Sequence, residues 1–464
     1  MFTSATERRA ESPFAAQADS KHEQLARVLG FRDLVLLIIG TVIGSGIFLV
    51  PGAVLRPVGN SAFLGMAVWI AGGGLSLLGA LTYAELSAMK PQAGGLYVYI
   101  RDCFGSFPAF LFGWTLFFVI SAGSIATLAV AFSSYLAEFV PLTALWAKLV
   151  SVAMIAIIAV VNVRGTRGSS DLENVTTAIK VFAILLMGAA LLWLGKDFNA
   201  AATAAPHLSV AAKASGFGLA MISVLWAYEG WQYATYSAGE TVNPQRNLPL
   251  AFMVGLAALI AIYLFSNFGY LAALGAAGVA NSDRVAATAV SLVISPLAAK
   301  LVAAAILVSM FSAANSILLT APRVYYAMAR DGIFFERLAR VHARFRTPAF
   351  AVVAASVWAA VLAASGTFEQ LLTYVVFIGW IFYALGAASV FIYRKREPKS
   401  DRPYKVAGYP ATPAIFIIAA IALVANTIVS QPRRAAIGLG IVLAGAPAYV
   451  IWRSLAKTRL EPSA

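Results

Sequence analysis

Two stretches, Gly40-Thr41-Val42-Ile43-Gly44-Ser45-Gly46-Ile47-Phe48 and Leu225-Trp226-Ala227-Tyr228-Glu229-Gly230-Trp231, read as membrane helices cut open in the middle. Each lies within an apolar run long enough to cross a bilayer, about 20 residues. Such a break exposes backbone N–H and C=O groups at bilayer depth, which is tolerated only where protein or a water-filled cavity receives them. The pair therefore points to a binding site inside a membrane protein.

Composition agrees. Of the 464 residues, 61% are hydrophobic and 12% charged, with a mean hydropathy of +0.82, against roughly 25% charged residues in soluble domains. Apolar stretches begin near Asp33, Ser61, Phe107, Leu142, Leu172, Gly216, Leu248, Pro296, Pro348, Phe368, Ala411 and Arg433. The expected fold is an all-α integral membrane protein of about twelve transmembrane helices, with a short non-crossing helix within 280–295. The expected organisation is an N-terminal tail (1–32), a ten-helix core (33–394), a loop (395–410), two C-terminal helices (411–456) and a C-terminal tail (457–464).

The formal charge of +14 is first a topology signal in such a chain. With the N-terminus inside, 26 of the 34 Lys and Arg fall on the cytoplasmic side, and 8 fall outside: Arg56, Lys148, Lys196, Lys213, Arg284, Lys300, Arg433 and Arg434. This places both termini in the cytoplasm and sets the basic loops, such as 337–346 and 394–405, against anionic lipid headgroups rather than a nucleic acid. The tail has no apolar h-region of a cleavable signal peptide. The single cysteine, Cys103, allows no intramolecular disulfide, and His22, His207 and His342 fall in tails or loops. No metal, cofactor or nucleophile–His pairing is expected, so an enzyme is not the reading.

The breaks fall in the first and sixth spans, five apart. Because five is odd, a repeat starting at the sixth span enters from the opposite side, giving an inverted 5+5 pair with two helices outside it. At Gly44-Ser45-Gly46 the outer half-helix begins with unpaired N–H groups and partial positive charge, which suits a carboxylate. The inner half ends with carbonyls near Val42 and Ile43, which suit an ammonium, and the sixth span adds carbonyls at Trp226, Ala227 and Glu229. Together they describe the head of an α-amino acid. A single Gly-x-Gly would also suit close helix packing.

From about Phe31 to Ser454 the chain resembles amino acid permeases of the amino acid-polyamine-organocation superfamily, and most closely their L-type (LAT) branch. The motifs that carry the resemblance are Gly40 to Phe48; Tyr83-Ala84-Glu85-Leu86 with Gly94-Gly95-Leu96-Tyr97; Ala227-Tyr228-Glu229-Gly230-Trp231 with Asn243-Pro244-Gln245-Arg246-Asn247-Leu248-Pro249; and Arg402-Pro403-Tyr404-Lys405. The resemblance implies a LeuT-type fold in the cell (inner) membrane, with substrate between the first and sixth helices and alternating access. It implies that substrate carboxylate meets Ser45 and Gly46, that the amine meets carbonyls of Val42, Trp226 and Glu229, and that Trp226 closes over the substrate as a gate. The binding segments are thus Val42, Ile43, Gly44, Ser45, Gly46 and Trp226, Ala227, Tyr228, Glu229, Gly230. It also implies that Lys180 puts its ammonium where sodium-coupled relatives hold a cation, tying the fifth helix to the first and eighth, with Ser309 and Ser312 as partners. Sodium-independent exchange or proton-linked uptake of neutral, and in some relatives cationic, amino acids follows.

Several readings stay open at this stage. Glu229 is a carboxylate in mid-span and a functional candidate by default: it pairs with a cationic substrate, takes up a coupled proton, or bonds unwound backbone N–H groups. Lys180 alone would read as a lysine snorkelling to headgroups. Ser121 and Ser124 are candidate pocket lining, and Asn315 serves packing or the site. Glu85 is expected to pair with a loop arginine, and Tyr374, Trp380 and Tyr383 to pack between helices. The loop 138–148 lacks the cysteine by which eukaryotic L-type carriers attach a heavy chain, so no disulfide-linked partner is expected. A polyamine or organic-cation carrier and an amino-acid-sensing transceptor are the alternatives; a channel would need a continuous polar lining.

Overall fold

The computed structural model describes residues 25–195, 209–365 and 368–458. His22, His207 and the outermost tail residues lie outside this description, as do the side chains of 368–376, Tyr374 included. The described residues are helical apart from turns, loops and one bridge between Leu29 and Thr241. Among the described residues, ten helices are long and apolar enough to cross a membrane. Phe31–Val42 and Gly46–Val58, bent by 47° at their break, make an eleventh crossing, here span 1. Spans 2 to 5 are Ala62–Met89, Ser106–Leu136, Ala144–Arg164 and Thr166–Leu194; span 6 is Val210–Glu240, and spans 7 and 8 are Pro244–Ala280 and Pro296–Arg330. The shorter apolar helix Ala349–Ser365 takes the place of span 9, followed by Phe368–Arg396, Ala411–Ser430 and Pro432–Thr458 as spans 10 to 12. A nine-residue helix, Val285–Val293, falls in the 280–295 segment. The arrangement is the LeuT-type one.

The sequence prepares the helix starts on one side. Spans 2, 4, 6 and 8 begin after Ser61, Thr143, Ser209 and Ser295, and each hydroxyl accepts the amide three residues on, from Leu64, Trp146, Ala212 and Ala298. Each cap satisfies one orphan donor of the first turn. The opposite side, where span 1 begins, carries most of the arginines and lysines and is called here the basic face.

Two glycines bring the broken helices into contact. A Cβ on Gly46 would stand 2.7 Å from the Ala227 Cα, so span 1 restarts directly against the end of the first half of span 6. Gly230, at φ +125°, reciprocates: its Cβ would meet the Thr41 carbonyl oxygen at 3.0 Å. Only glycine accepts both that φ and that approach.

On the basic face, spans 1 and 6 are latched through their backbones. The amides of Val28 and Leu29 donate to the Glu240 carbonyl (2.9 and 3.0 Å), and the Val242 amide to Leu29 (2.9 Å). The Glu240 side chain is fully buried and takes two bonds from Arg323 of span 8 (2.5 and 2.9 Å) and one from Thr166 of span 5 (2.8 Å). Glu85 pairs with Arg394 at 2.9 and 2.6 Å, and the loop arginine Arg402 lies 3.6 Å from it. Removing one partner of a dry ion pair leaves an uncompensated charge, at a cost of about 3–5 kcal/mol. Arg323→Leu is therefore expected to lower thermal stability in detergent sharply, with Glu240→Gln in the same molecule recovering most of the loss. Equal melting of the single and double variants would contradict this.

Candidate functional site

The break in span 1 leaves carbonyls on one side and amides on the other, and the fold treats them differently. Lys180, buried on span 5, donates its Nζ to the carbonyls of Gly40 (2.6 Å) and Ile43 (2.8 Å). Ser309 of span 8 reaches Ile43 (2.9 Å) and Gly44 (3.0 Å). The Tyr263 hydroxyl of span 7 lies between the carbonyls of Val42 (3.2 Å) and Ala227 (2.9 Å), bridging the two breaks. A cation and two hydroxyls thus cap the negative end of the inner half-helix.

This corrects the expectation that the Val42 and Ile43 carbonyls stand open for a substrate ammonium. Ile43 is taken by Lys180 and Ser309, and Val42 by the Gly44 amide (2.9 Å) as well as Tyr263. The Trp226 carbonyl accepts the amides of Tyr228 and Glu229. Lys180 does not snorkel, and Ser312 bonds Glu173 (2.7 Å) rather than Lys180.

The amide side is different. No acceptor among the described residues meets the backbone N–H of Ser45, Gly46 or Ile47. The Ser45 hydroxyl, buried, is also without a partner. Ser45 and Gly46 border a cavity of about 30 Å³ lined also by Thr41, Val42, Gly44, Ser124, Leu128, Trp226, Glu229, Gly230, Tyr233, Ala313 and Ile317. A water needs roughly 10–15 Å³ by this measure, so the helices must part to admit anything larger.

Of the residues singled out in the sequence, Val42, Gly44, Ser45, Gly46, Trp226, Glu229, Gly230 and Ser124 line this cavity. Ile43, Ala227 and Tyr228 do not: Ile43 holds the caps, Ala227 abuts Gly46, and Tyr228 packs edge-on against Trp69. Ser121 sits beside a π-helical turn, Leu116–Ile120, donating to the Leu116 carbonyl and pairing with the Tyr325 hydroxyl. Asn315 belongs to a separate buried cluster with Asn162, Ser169 and Glu173.

Glu229 does not bond unwound backbone amides. Its Oε1 accepts from Gln232 Nε2 (2.5 Å) and from the Tyr383 hydroxyl (2.5 Å), while the Gly230 amide goes to Gln232 Oε1 (3.3 Å). Tyr383 is thus more than helix packing, whereas Trp380 does pack, on Phe416.

A match to the amino acid permease family model runs over residues 29–451. The chain belongs to that family. It is 32% identical to the serine/threonine exchanger SteT of Bacillus subtilis, over 92% of this chain and 96% of the relative. It is 33% identical to the human b(0,+)-type amino acid transporter 1, over 93% and 88%. It is 31% identical to the human cystine/glutamate transporter, over 92% and 86%.

Within this permease, sequence reasoning missed Gln232, Tyr233, Tyr263 and Glu173, and read Tyr383 as packing alone. Glu173 alone carried a signal, a carboxylate one face-repeat of seven residues before Lys180. The Gly40 carbonyl depends on Lys180, and an orphaned buried acceptor costs about 1–3 kcal/mol. Lys180→Met should therefore lower the thermal midpoint of the purified permease and abolish uptake, whereas Ser309→Ala, which leaves Lys180 on Ile43, should keep part of both. Wild-type melting and uptake in Lys180→Met would remove the cap from the account.

Proposed function

We propose that the protein is a sodium-independent amino acid exchanger of the cell membrane with both termini cytoplasmic, working by alternating access. The observation that carries this reading is the open amide end of span 1. Ser45 and Gly46, whose N–H groups are free together with that of Ile47 behind them, and the unpaired Ser45 hydroxyl line the same cavity as Glu229. A helix N-terminus with free donors binds a carboxylate, and a carboxylate on the opposite break receives a cation. The substrate's α-carboxylate sits on Ser45–Ile47. Its amine lies toward Thr41, in the last turn of the inner half-helix, and the unwound backbone of Glu229, since the carbonyls beyond are capped.

Glu229 then faces the substrate side chain. Tyr383 and Gln232 hold its Oε1 from below, which fixes its direction and leaves it available to an Arg, Lys or ornithine side chain. Neutral residues fit the same seat with the apolar wall of Leu128, Ala313 and Ile317 beside them. Trp226 closes over the seat. Lys180 supplies a fixed positive charge at the inner end of the break, where a bound sodium would otherwise cap the same carbonyls, and this supports sodium independence. The chain works without a disulfide-linked heavy chain, its one cysteine being the buried Cys103.

The relatives named above are exchangers and transporters of amino acids by their own names, which supports this reading over a polyamine carrier. A polyamine has no carboxylate for the Ser45–Ile47 amides.

The test is uptake of labelled neutral and cationic amino acids into proteoliposomes, with and without an internal amino acid pool and with sodium replaced by choline. Uptake that is stimulated by the internal pool and ignores sodium is expected. Glu229→Gln should lose cationic substrates while keeping neutral ones, about 1.5–3 kcal/mol or 10- to 100-fold in apparent affinity for a charge-assisted contact. Equal loss of both classes would assign Glu229 a structural role, and absence of any amino acid uptake would sink the assignment.

A further inference from the structure

Glu173 is a second carboxylate within the membrane, fully buried on span 5 at 1% exposure, and the transport reading gives it no task. Its surroundings are unusual for a buried carboxylate: no cation lies within ion-pair distance among the described residues. Oε1 accepts the hydroxyls of Ser312 (2.7 Å) and Thr177 (2.8 Å), and Oε2 accepts the Asn315 amide (3.2 Å). Asn315 is itself oriented by Asn162 (2.9 Å) and Ser169 (3.1 Å), both of which donate to its Oδ1, so its NH2 is fixed as a donor to Glu173.

The two oxygens therefore differ in kind. Oε2 meets an amide that can only donate. Oε1 meets two hydroxyls, each of which donates to a carboxylate or, after rotating, accepts from a carboxylic acid. The cluster thus holds the charged and the neutral form without moving a heavy atom.

The lid on this group is span 1. A Cβ on Gly40 would overlap Oε1, so the backbone of the inner half-helix rests directly on the carboxylate. On the other side of the same residue, Lys180 holds the Gly40 carbonyl and feels the charge of Glu173. Other charged groups facing the seam are Asp33 at the start of span 1, held by Arg167 and Asn174, and the Glu240–Arg323 pair. Span 8 presents the neutral Ser309, Ser312 and Asn315, and span 4 presents Asn162. Span 7 carries no charged side chain from Leu248 to Ala280, its Tyr263 being bound to the break.

We propose that Glu173 is the proton-binding site of this carrier. When the inner half of span 1 swings away, the carboxylate meets solution on the basic face and gains or loses a proton at Oε1; when span 1 returns, Gly40 seals it in either form. Protonation changes the charge beneath Gly40 by one unit, so the proton and the position of span 1 are linked. Substrate binds the outer half of the same broken helix, which joins the two occupancies. The inference rests on the transport reading, and Glu229 is left to the substrate.

The test is accumulation of a labelled amino acid in proteoliposomes under an imposed inward proton gradient, without an internal pool and with the membrane potential clamped. Exchange against an internal pool at equal pH is measured beside it. Glu173→Gln mimics the neutral acid, its NH2 donating to the two hydroxyls and its oxygen accepting from Asn315. It should lose gradient-driven accumulation and the pH dependence of transport, while exchange at equal pH stays within about twofold of wild type. Ser312→Ala, which removes one donor from the carboxylate, should move the pH profile to the alkaline side.

Gradient-driven accumulation surviving in Glu173→Gln would overturn the proposal. So would a wild type that exchanges amino acids but responds to neither gradient nor pH, or a Ser312→Ala profile superimposed on wild type. A wild type that exchanges no amino acid would instead remove the transport reading on which this one stands.

Discussion

A helix opened at bilayer depth must find partners for its own backbone, and that constraint organises the centre of this protein. The inner half of span 1 ends in buried residues whose carbonyls need partners, and three neighbouring spans each send one polar group to them: Lys180 from span 5, Tyr263 from span 7 and Ser309 from span 8. Each donor is buried; Lys180 and Ser309 bond this break alone, and Tyr263 bonds it and the Ala227 carbonyl of span 6. Helix and partners are mutually dependent, and the three spans converge on the break for a chemical as well as a steric reason. The amide end is handled in the opposite way and kept free beside the cavity.

The second constraint is proximity. Two helices can share one site only if their backbones touch, and Gly46 on Ala227 and Gly230 on Thr41 are the places where they do. The result is a compact junction in which a shift of either half-helix presses on the other span. The π-helical turn in span 3 adjusts a third wall: it displaces the register before Ser121 and brings Ser124 to the cavity.

The membrane class, the order of spans, the two breaks and the cavity side of Ser45, Gly46, Trp226 and Glu229 were legible in the sequence. Apolar run length and mid-span glycine are local signals, and they translate directly into structure. What was not legible depends on helix rotation. Tyr383 stands 154 residues from the carboxylate it donates to, and Tyr263 lies in an apolar span where an aromatic residue is most simply filler. The fate of the Val42 and Ile43 carbonyls was misread for the same reason: a free helix end is visible in one segment, but the group that caps it comes from another. Glu173 needed the position of Gly40 before it had a meaning.

The ionic contacts are unevenly divided between the two faces. On the basic face, Asp33–Arg167, Glu240–Arg323, Asp331–Arg101 and Glu85–Arg394 join separate segments, and the Leu29–Thr241 bridge adds backbone bonds. On the other, the described pairs are Arg56–Asp283 and Arg284–Glu138, both exposed. Exposed pairs are worth little and buried ones resist separation. Parting the basic face therefore separates buried pairs, whereas parting the other separates exposed ones. Such a carrier is a rectifier in its apparent affinities: a substrate arriving at the basic face spends part of its binding energy on opening the latch, and the same molecule binds more weakly from that side than from the other.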